Sequence, residues 1–489
     1  MKILKNYING HWVDSSAAQK LRIINPATAQ TIAEIPVTPA GEVDEVVQRA
    51  HQASEGWMRT PVTERIQFLF KLKNLFEENI EDLAHAITEE CGKTKGEAIG
   101  ELRRGIENIE VACGAPILMQ GYNNEDIASG IDEHMIRQPL GVVVAITPFN
   151  FPGMIPFWFL PYAIACGNSF ILKPSEKLGL TAHKIFALLE KTELPVGVVQ
   201  LVQGNKETVD ALIDHSLVSA VSFVGSTEVA RYIYGRATAN GKRAQCQGGA
   251  KNPIIVMPDA DIEMTTQMAA DSFYGCAGQR CLAGSVAITV GDKSNEFKDA
   301  IIDVARNRKV GYGWDEGIEM GPVISAESKS RIENFIGLGA KEGAKIVVDG
   351  RGAKVSGYDN GNFIFPTVLD EVDPHGEIAK TEIFGPVLSL IHASDIEEAI
   401  AFINSNRYGN MACLFTSSGA AARKFRHECI VGNIGINIGV AAPMAFYPFS
   451  GWKDSFFGDL HAQGRHGVEF YTQTKVVVER WPKEWSRKF

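Results

Sequence analysis

The first residues that could do chemistry are in Gly278-Gln279-Arg280-Cys281. A guanidinium beside a thiol favours the thiolate, and a thiolate attacks carbonyl carbon. Taken alone, the better reading is an inert buried cysteine. Asn150, in Thr147-Pro148-Phe149-Asn150-Phe151-Pro152, follows an apolar run. Its amide can donate to an oxyanion, or it is a turn residue ahead of a proline. Leu172-Lys173-Pro174-Ser175-Glu176 also follows an apolar run. Lys173 suits a ribose hydroxyl or a phosphate. Glu176 can accept both hydroxyls of an adenosine ribose and would repel a 2′-phosphate, which favours NAD over NADP. The plain alternative is a solvated loop pair. In Phe223-Val224-Gly225-Ser226-Thr227-Glu228 a strand pattern runs into a helix pattern. Gly225 permits close approach, Ser226 or Thr227 caps the helix, and the helix N-terminus attracts an anion. In Glu382-Ile383-Phe384-Gly385-Pro386-Val387, Glu382 could hold a ribose with Phe384 beside a flat ring.

These clusters need strands and helices to hold them. Short apolar runs at 141–146, 168–172, 198–202 and 220–224 read as buried parallel strands. Amphipathic helices around 155–166, 180–192 and 206–213 separate them, and the alternation implies a doubly wound sheet. Helical periodicity precedes it at 43–57, 62–90 and 95–112. Runs at 254–257, 286–290, 345–348 and 387–391 begin a second α/β unit, with the boundary near Gln247-Gly248-Gly249. Residues 122–138, Val468–Tyr471 and Lys475–Glu479 are expected to form an accessory sheet, whose lone edge would need a partner. Two near-motifs are set aside. Gly337-Leu338-Gly339-Ala340-Lys341-Glu342-Gly343 lies after a helix and before a strand, the reverse of a dinucleotide fingerprint, and reads as a helix end. Gly92-Lys93-Thr94 lacks the phosphate-loop glycine, because position 87 is Ile87.

A chain of 489 residues requires more than one domain, and 45% hydrophobic with 22% charged residues is ordinary globular composition. A net charge of -10 argues against nucleic acid as a partner. The Arg487-Lys488 tail is too short a basic run to change that. The longest apolar stretch, Phe149 to Cys166, carries Pro152, Pro156 and Pro161 and would make a poor membrane helix. No signal-peptide pattern follows Met1, so a soluble cytoplasmic protein without a membrane partner is expected. The eight cysteines are scattered and the eleven histidines show no ligand spacing, so neither disulfides nor a metal is expected.

In this order and at these separations, the five clusters resemble the aldehyde dehydrogenase superfamily over essentially the whole chain. The resemblance implies an aldehyde dehydrogenase fold. A Rossmann-like NAD-binding domain would span 1–121 and 140–247, an α/β catalytic domain 248–465, and a small oligomerisation sheet 122–139 and 466–489. It implies a homo-oligomer, dimer or tetramer. Cys281 would be the nucleophile, and Asn150 with the Cys281 N–H the oxyanion donors. Thr147, Phe149, Lys173, Glu176, Lys177, Gly225, Ser226, Gly248, Glu382 and Phe384 would contact NAD.

Gln247, anchored by Lys251 in Gln247-Gly248-Gly249-Ala250-Lys251-Asn252-Pro253, stands where hydrolytic members carry a glutamate base. A carboxamide cannot take a proton at neutral pH. The Gly248–Asn252 segment, Gly435–Phe446, Phe449–His461 and Gly105–Glu110 resemble the CoA-acylating methylmalonate-semialdehyde dehydrogenases. That resemblance implies coenzyme A as cosubstrate, malonate or methylmalonate semialdehyde as the aldehyde, and acetyl- or propanoyl-CoA as product. Arg104 and Arg280 would face the substrate carboxylate; the plain alternative pairs them with Glu101 and Glu107 on a solvated face. Only one of Arg103 and Arg104 can point into a site, being about 100° apart on a helix. The subfamily usually has glutamate where this chain has Gln279, and Met and other small residues are common where it has Leu282-Ala283-Gly284. A hydrolytic dehydrogenase using Glu382 or a water chain is the alternative. A non-catalytic descendant is a third reading, against which the joint presence of Cys281, Asn150 and Glu382 argues.

Overall fold

The computed structural model describes residues 2–291 and 294–481. Two large sheets carry the fold. The first has eight strands in the order His11–Val13, Asn6–Ile8, Val199–Leu201, Ser169–Lys173, Val142–Ile146, Val218–Val224, Arg243–Gln247 and Phe456–Phe457. Its five central strands are parallel, and the strands outside them are antiparallel. Val142–Ile146 and Ser169–Lys173 are buried at every position, as parallel strands with both faces covered must be. The chain starts this parallel set at Val142–Ile146, adds two strands on one side, then crosses to Val218–Val224 on the other. The strand order therefore reverses between those two strands, and a crevice opens at their carboxyl ends.

The second sheet runs Lys345–Val348, Thr367–Asp370, Val387–Ala393, Gly284–Val290, Asn252–Val256, Met411–Phe415 and Asn433–Ile436. Only its first pair is antiparallel. Phe456–Phe457 leaves this half of the chain to pair with Cys246 and Gln247 in the first sheet. A three-stranded sheet joins Tyr122–Ala128, Ile131–Pro139 and Thr472–Arg480.

The runs read as strands agree with the structure to within two residues, and the third helix is Lys95–Ala112 as expected. Other expectations are corrected. The 62–90 periodicity is two helices, Val62–Glu78 and Ile80–Cys91, because the Asn79 amide turns back to donate to the Leu75 carbonyl (2.8 Å). The 155–166 segment is a 3₁₀ turn, Ile155–Trp158, and a short helix, Leu160–Ala165, buried on every side instead of amphipathic. Val468–Tyr471 is not sheet: Gly464–Phe470 is helical, and pairing begins at Thr472. Strand Arg243–Gln247 was unforeseen because its composition is polar, yet Gln245 and Gln247 are buried. Gly343 (φ 101°) does end the helix Ala326–Lys341 before a strand. Residues 482–489 of the expected assembly segment, with Arg487-Lys488, lie outside the described residues. Among the described residues no helix is long and apolar enough to cross a membrane.

Candidate active site

The crevice at the strand reversal opens into a cleft of about 980 Å³. Thr147, Phe149 and Asn150 enter it after Val142–Ile146, and Lys173, Glu176 and Lys177 after Ser169–Lys173. Gly225 and Ser226 follow Val218–Val224, and Gly248, Glu382 and Phe384 close the far wall. Lys173 is 2% exposed, its ammonium 3.5 Å from Glu176; burial lowers its pKa against the pull of that carboxylate. Lys177 lies over the Phe149 ring, which meets Phe384 edge to face at 5.9 Å. The helix Thr227–Ala239 starts at this cleft, but the expected side-chain cap is absent: Ser226 makes none. Thr227 Oγ1 instead accepts from the Gly249 N–H (2.8 Å). The first-turn N–H groups thus have no side-chain acceptor, which is what an anion at a helix N-terminus requires. A Cβ on Gly225 would overlap the Phe223 ring, so the turn admits only glycine without a shift. Cleft size, cationic Lys173 and uncapped helix together fit a dinucleotide.

Cys281 stands where this cleft meets a second cavity of about 240 Å³, bordered by Arg104, Arg280, Phe151, Trp158, Leu282 and Phe449 among others. The loop before it is wound left-handed: Cys276, Ala277 and Gly278 have φ of 51°, 53° and 70°. Each non-glycine residue there costs about 1–2 kcal/mol, so the surroundings must hold it. The Cys276 N–H donates to Glu97 Oε1 (2.5 Å), the Ile324 N–H to Gln279 Oε1 (3.0 Å), and Asn150 Nδ2 to the Gln279 carbonyl (2.9 Å). Gln279, where a glutamate was noted as usual, is therefore a tie within the loop. The Cys281 carbonyl accepts from Asn252 Nδ2 and Asn410 Nδ2, both at 2.8 Å. Backbone N–H groups of Cys281 and Leu282 favour the ionised sulfur, but burial dominates and, with Glu382, pushes the thiol up to about 12. The expectation that Arg280 would activate Cys281 is corrected: its guanidinium turns to Cys276 Sγ (3.2 Å), the Asp271 carbonyl (3.3 Å) and Glu97 (3.3 Å).

One helix organises the cavity wall. On Lys95–Ala112, begun by a capping box of Thr94 and Glu97, the residues Glu97, Glu101, Arg104 and Asn108 recur at helical spacing on one face. Glu97 ties the loop before Cys281. Glu101 pairs with Lys93 and accepts from the Gly153 N–H (2.6 Å). Arg104 donates to the Pro443 carbonyl and to Glu107 (2.7 Å); Asn108 donates to Gln463 (3.1 Å). The plain pairing of Arg104 with Glu107 is present, but not with Glu101. Arg103 points away, to Glu77.

The expected cofactor contacts thus all border one cleft, and both arginines border the other cavity. Gln247 borders neither; it is 3% exposed, and its amide atoms have no hydrogen-bond partner among the described residues. Beside the cleft, Glu382 accepts from the Ala250 N–H (2.9 Å), and burial raises its carboxyl to about 7. Lys251, also buried, is lowered to about 7, opposed by Glu382. Lys93, Glu97, Glu101, Asn252 and Asn410 were missed as parts of the site. The capping box and the helical spacing of Glu97, Glu101 and Arg104 were legible signals; nothing local marks Asn410.

The aldehyde dehydrogenase family model matches residues 12–477. A malonate-semialdehyde dehydrogenase of Geobacillus kaustophilus is 47% identical over 481 residues, covering 98% of this chain and 99% of that protein. One from Halalkalibacterium halodurans is 46% identical and covers 98% of both. The solved methylmalonate-semialdehyde dehydrogenase of Oceanimonas doudoroffii matches with a TM-score of 0.97 at 42% identity over 99% of each chain. A Sinorhizobium meliloti protein assigned as a methylmalonate-semialdehyde dehydrogenase, solved with NAD, gives 0.98 at 41% over 99% of each.

Proposed function

The chain belongs to the aldehyde dehydrogenase family, and from that premise we propose that it oxidises malonate or methylmalonate semialdehyde with NAD and passes the acyl group from Cys281 to coenzyme A. The products are acetyl- or propanoyl-CoA and CO₂. The observation that carries this reading is the place of Cys281 between a nucleotide-sized cleft and a small cavity edged by Arg104 and Arg280. The named relatives support the aldehyde, and Gln247 at the position of the hydrolytic base supports a thiol acceptor over water.

The residues divide the work. Lys173 and Glu176 hold the adenosine ribose, the N-terminus of the helix Thr227–Ala239 the pyrophosphate, and Glu382 the second ribose. Lys177, Thr147, Phe149, Gly225, Ser226, Gly248 and Phe384 shape the groove. The Cys281 sulfur gives its proton to solvent water in the cleft and bonds to the aldehyde carbon. Asn150 Nδ2 has a second N–H beyond the one given to Gln279, and this, with the Cys281 N–H, receives the oxyanion. As the carbonyl re-forms, hydride leaves that carbon and a thioester remains on Cys281. NAD, when bound, would supply the hydride acceptor. Arg104 holds the substrate carboxylate until its carbon–carbon bond breaks, CO₂ leaves and the α-carbon gains a proton. The thiolate of coenzyme A then bonds to the acyl carbon and Cys281 departs as thiolate.

We assign cofactor binding to 1–121 and 140–247, catalysis to 248–465, and assembly to 122–139 with the described part of 466–489. Val476 and Val478, 63% and 61% exposed on an edge strand, support a homo-oligomer. A hydrolytic route is favoured by one observation, the Glu382 carboxyl at about 7, in the range of a general base. NADH formation from malonate semialdehyde with and without coenzyme A, with products weighed by mass spectrometry, decides. CoA-dependent acceleration and acetyl-CoA are expected; equal rates and free acid would overturn the proposal.

A further inference from the structure

We infer that Lys93 and Glu101 are positioning residues for the oxyanion donor Asn150, a buried charged clamp behind the nucleophile; the inference rests on the thioester reading above. Both are 3% exposed. The Lys93 ammonium bonds one Glu101 oxygen and stands 3.4 Å from the centroid of the Phe151 ring. The other Glu101 oxygen accepts the Gly153 N–H at 2.6 Å. On the near side, Cys91 Sγ donates to the Phe149 carbonyl at 3.4 Å. Alternate residues 149, 151 and 153 are thus gripped by Cys91, Lys93 and Glu101, and Asn150, between 149 and 151, donates to the Gln279 carbonyl. Lys93 and Asn150 border the same small gap, with Cys276 and Gln279.

Stability alone does not account for this pair. Burying two ions costs several kcal/mol each, and apolar residues of the same volume often hold a fold as well or better. What apolar residues would not supply is a fixed positive charge over an aromatic face and a carboxylate on a loop N–H. At Cys281, Lys93 favours the ionised sulfur, while Glu382, from the cleft side, opposes it.

Three variants of the full-length protein test this. Lys93→Met strips the cation, Lys93→Arg keeps it, and the double variant Lys93→Met with Glu101→Gln leaves no unpaired ion. Each is assayed for kcat, aldehyde KM and the pH dependence of Cys281 alkylation by iodoacetamide, with folding checked by circular dichroism. In Lys93→Met and the double variant kcat should fall about 10- to 100-fold with KM within about 3-fold, as expected for a misplaced donor. The alkylation midpoint should rise by about half a pH unit or more and return toward wild type in Lys93→Arg. A folded double variant with wild-type kcat and midpoint would overturn the clamp. So would an equal loss in all three variants with no midpoint shift. The alkylation readout uses neither coenzyme A nor aldehyde, so it separates failure of the clamp from failure of the proposed acyl acceptor.

Discussion

On the cleft side of Cys281, half-buried Glu382 and buried Lys251 stand close enough to feel each other's charge, and desolvation moves each toward its neutral form, to about 7. On the acyl side, Glu97 faces Arg280 and Glu101 faces Lys93, the first pair half-buried, the second buried, and both in contact. Burial is similar; contact is not. A direct partner opposes the desolvation that would neutralise a charge, whereas a partner beyond hydrogen-bond reach opposes it less. The cleft side should therefore carry the pH dependence, and the acyl side the selection for an anionic substrate.

Removing the atom that both sides share gives the largest effect. Cys281→Ser should lower NADH formation about 1000-fold or more, because a serine hydroxyl without an adjacent base is a poor nucleophile. NAD binding, followed by fluorescence quenching, should persist. Substantial turnover in this variant would dissolve the comparison altogether.

Arg104→Ala tests the acyl side. The KM for malonate semialdehyde should rise about 10-fold, the worth of one charge-assisted hydrogen bond. Propanal, which has no carboxylate, should respond far less. Equal changes for both aldehydes would mean that Arg104 serves Pro443 and Glu107 alone.

The smallest and most pH-dependent effect belongs to Glu382→Gln. The folded protein holds the Glu382 proton up to about 7, against 4.5 for the unreacted side chain. Between those values the folded state binds the extra proton, so this group favours folding below 4.5 and that contribution is lost as pH rises through 7. Glutamine does not titrate and can still accept the Ala250 N–H. The Tm of Glu382→Gln relative to wild type should therefore climb between pH 5 and pH 8, by a few degrees, while kcat falls about several-fold. A pH-independent Tm difference would place the titrating group elsewhere.

Much of the cleft was legible because its residues lie at the carboxyl ends of strands whose apolar runs announce themselves. Thr147, Lys173 and Gly225 each follow such a run within three residues, and the strand order then forces them together. The acyl side was legible only at Arg104 and Arg280. Its organising contacts join residues far apart in the chain, as Glu97 does with Cys276 and Arg280. Lys93 shows the limit plainly: Gly92-Lys93-Thr94 lacks the glycine of a phosphate loop, and the pairing of Lys93 with Glu101 shows only in the fold.

By itself the amino-acid order determined the parallel strands and the chemical kinds of residue at their ends. Those follow from periodicity and position, which are local properties. Tertiary structure alone decided that Arg280 serves the loop and not the neighbouring sulfur, that three left-handed residues lead into Cys281, and that Lys93 and Asn150 border one gap. Such outcomes depend on which charges meet once water is excluded, and desolvation is a property of the assembled interior, not of any segment.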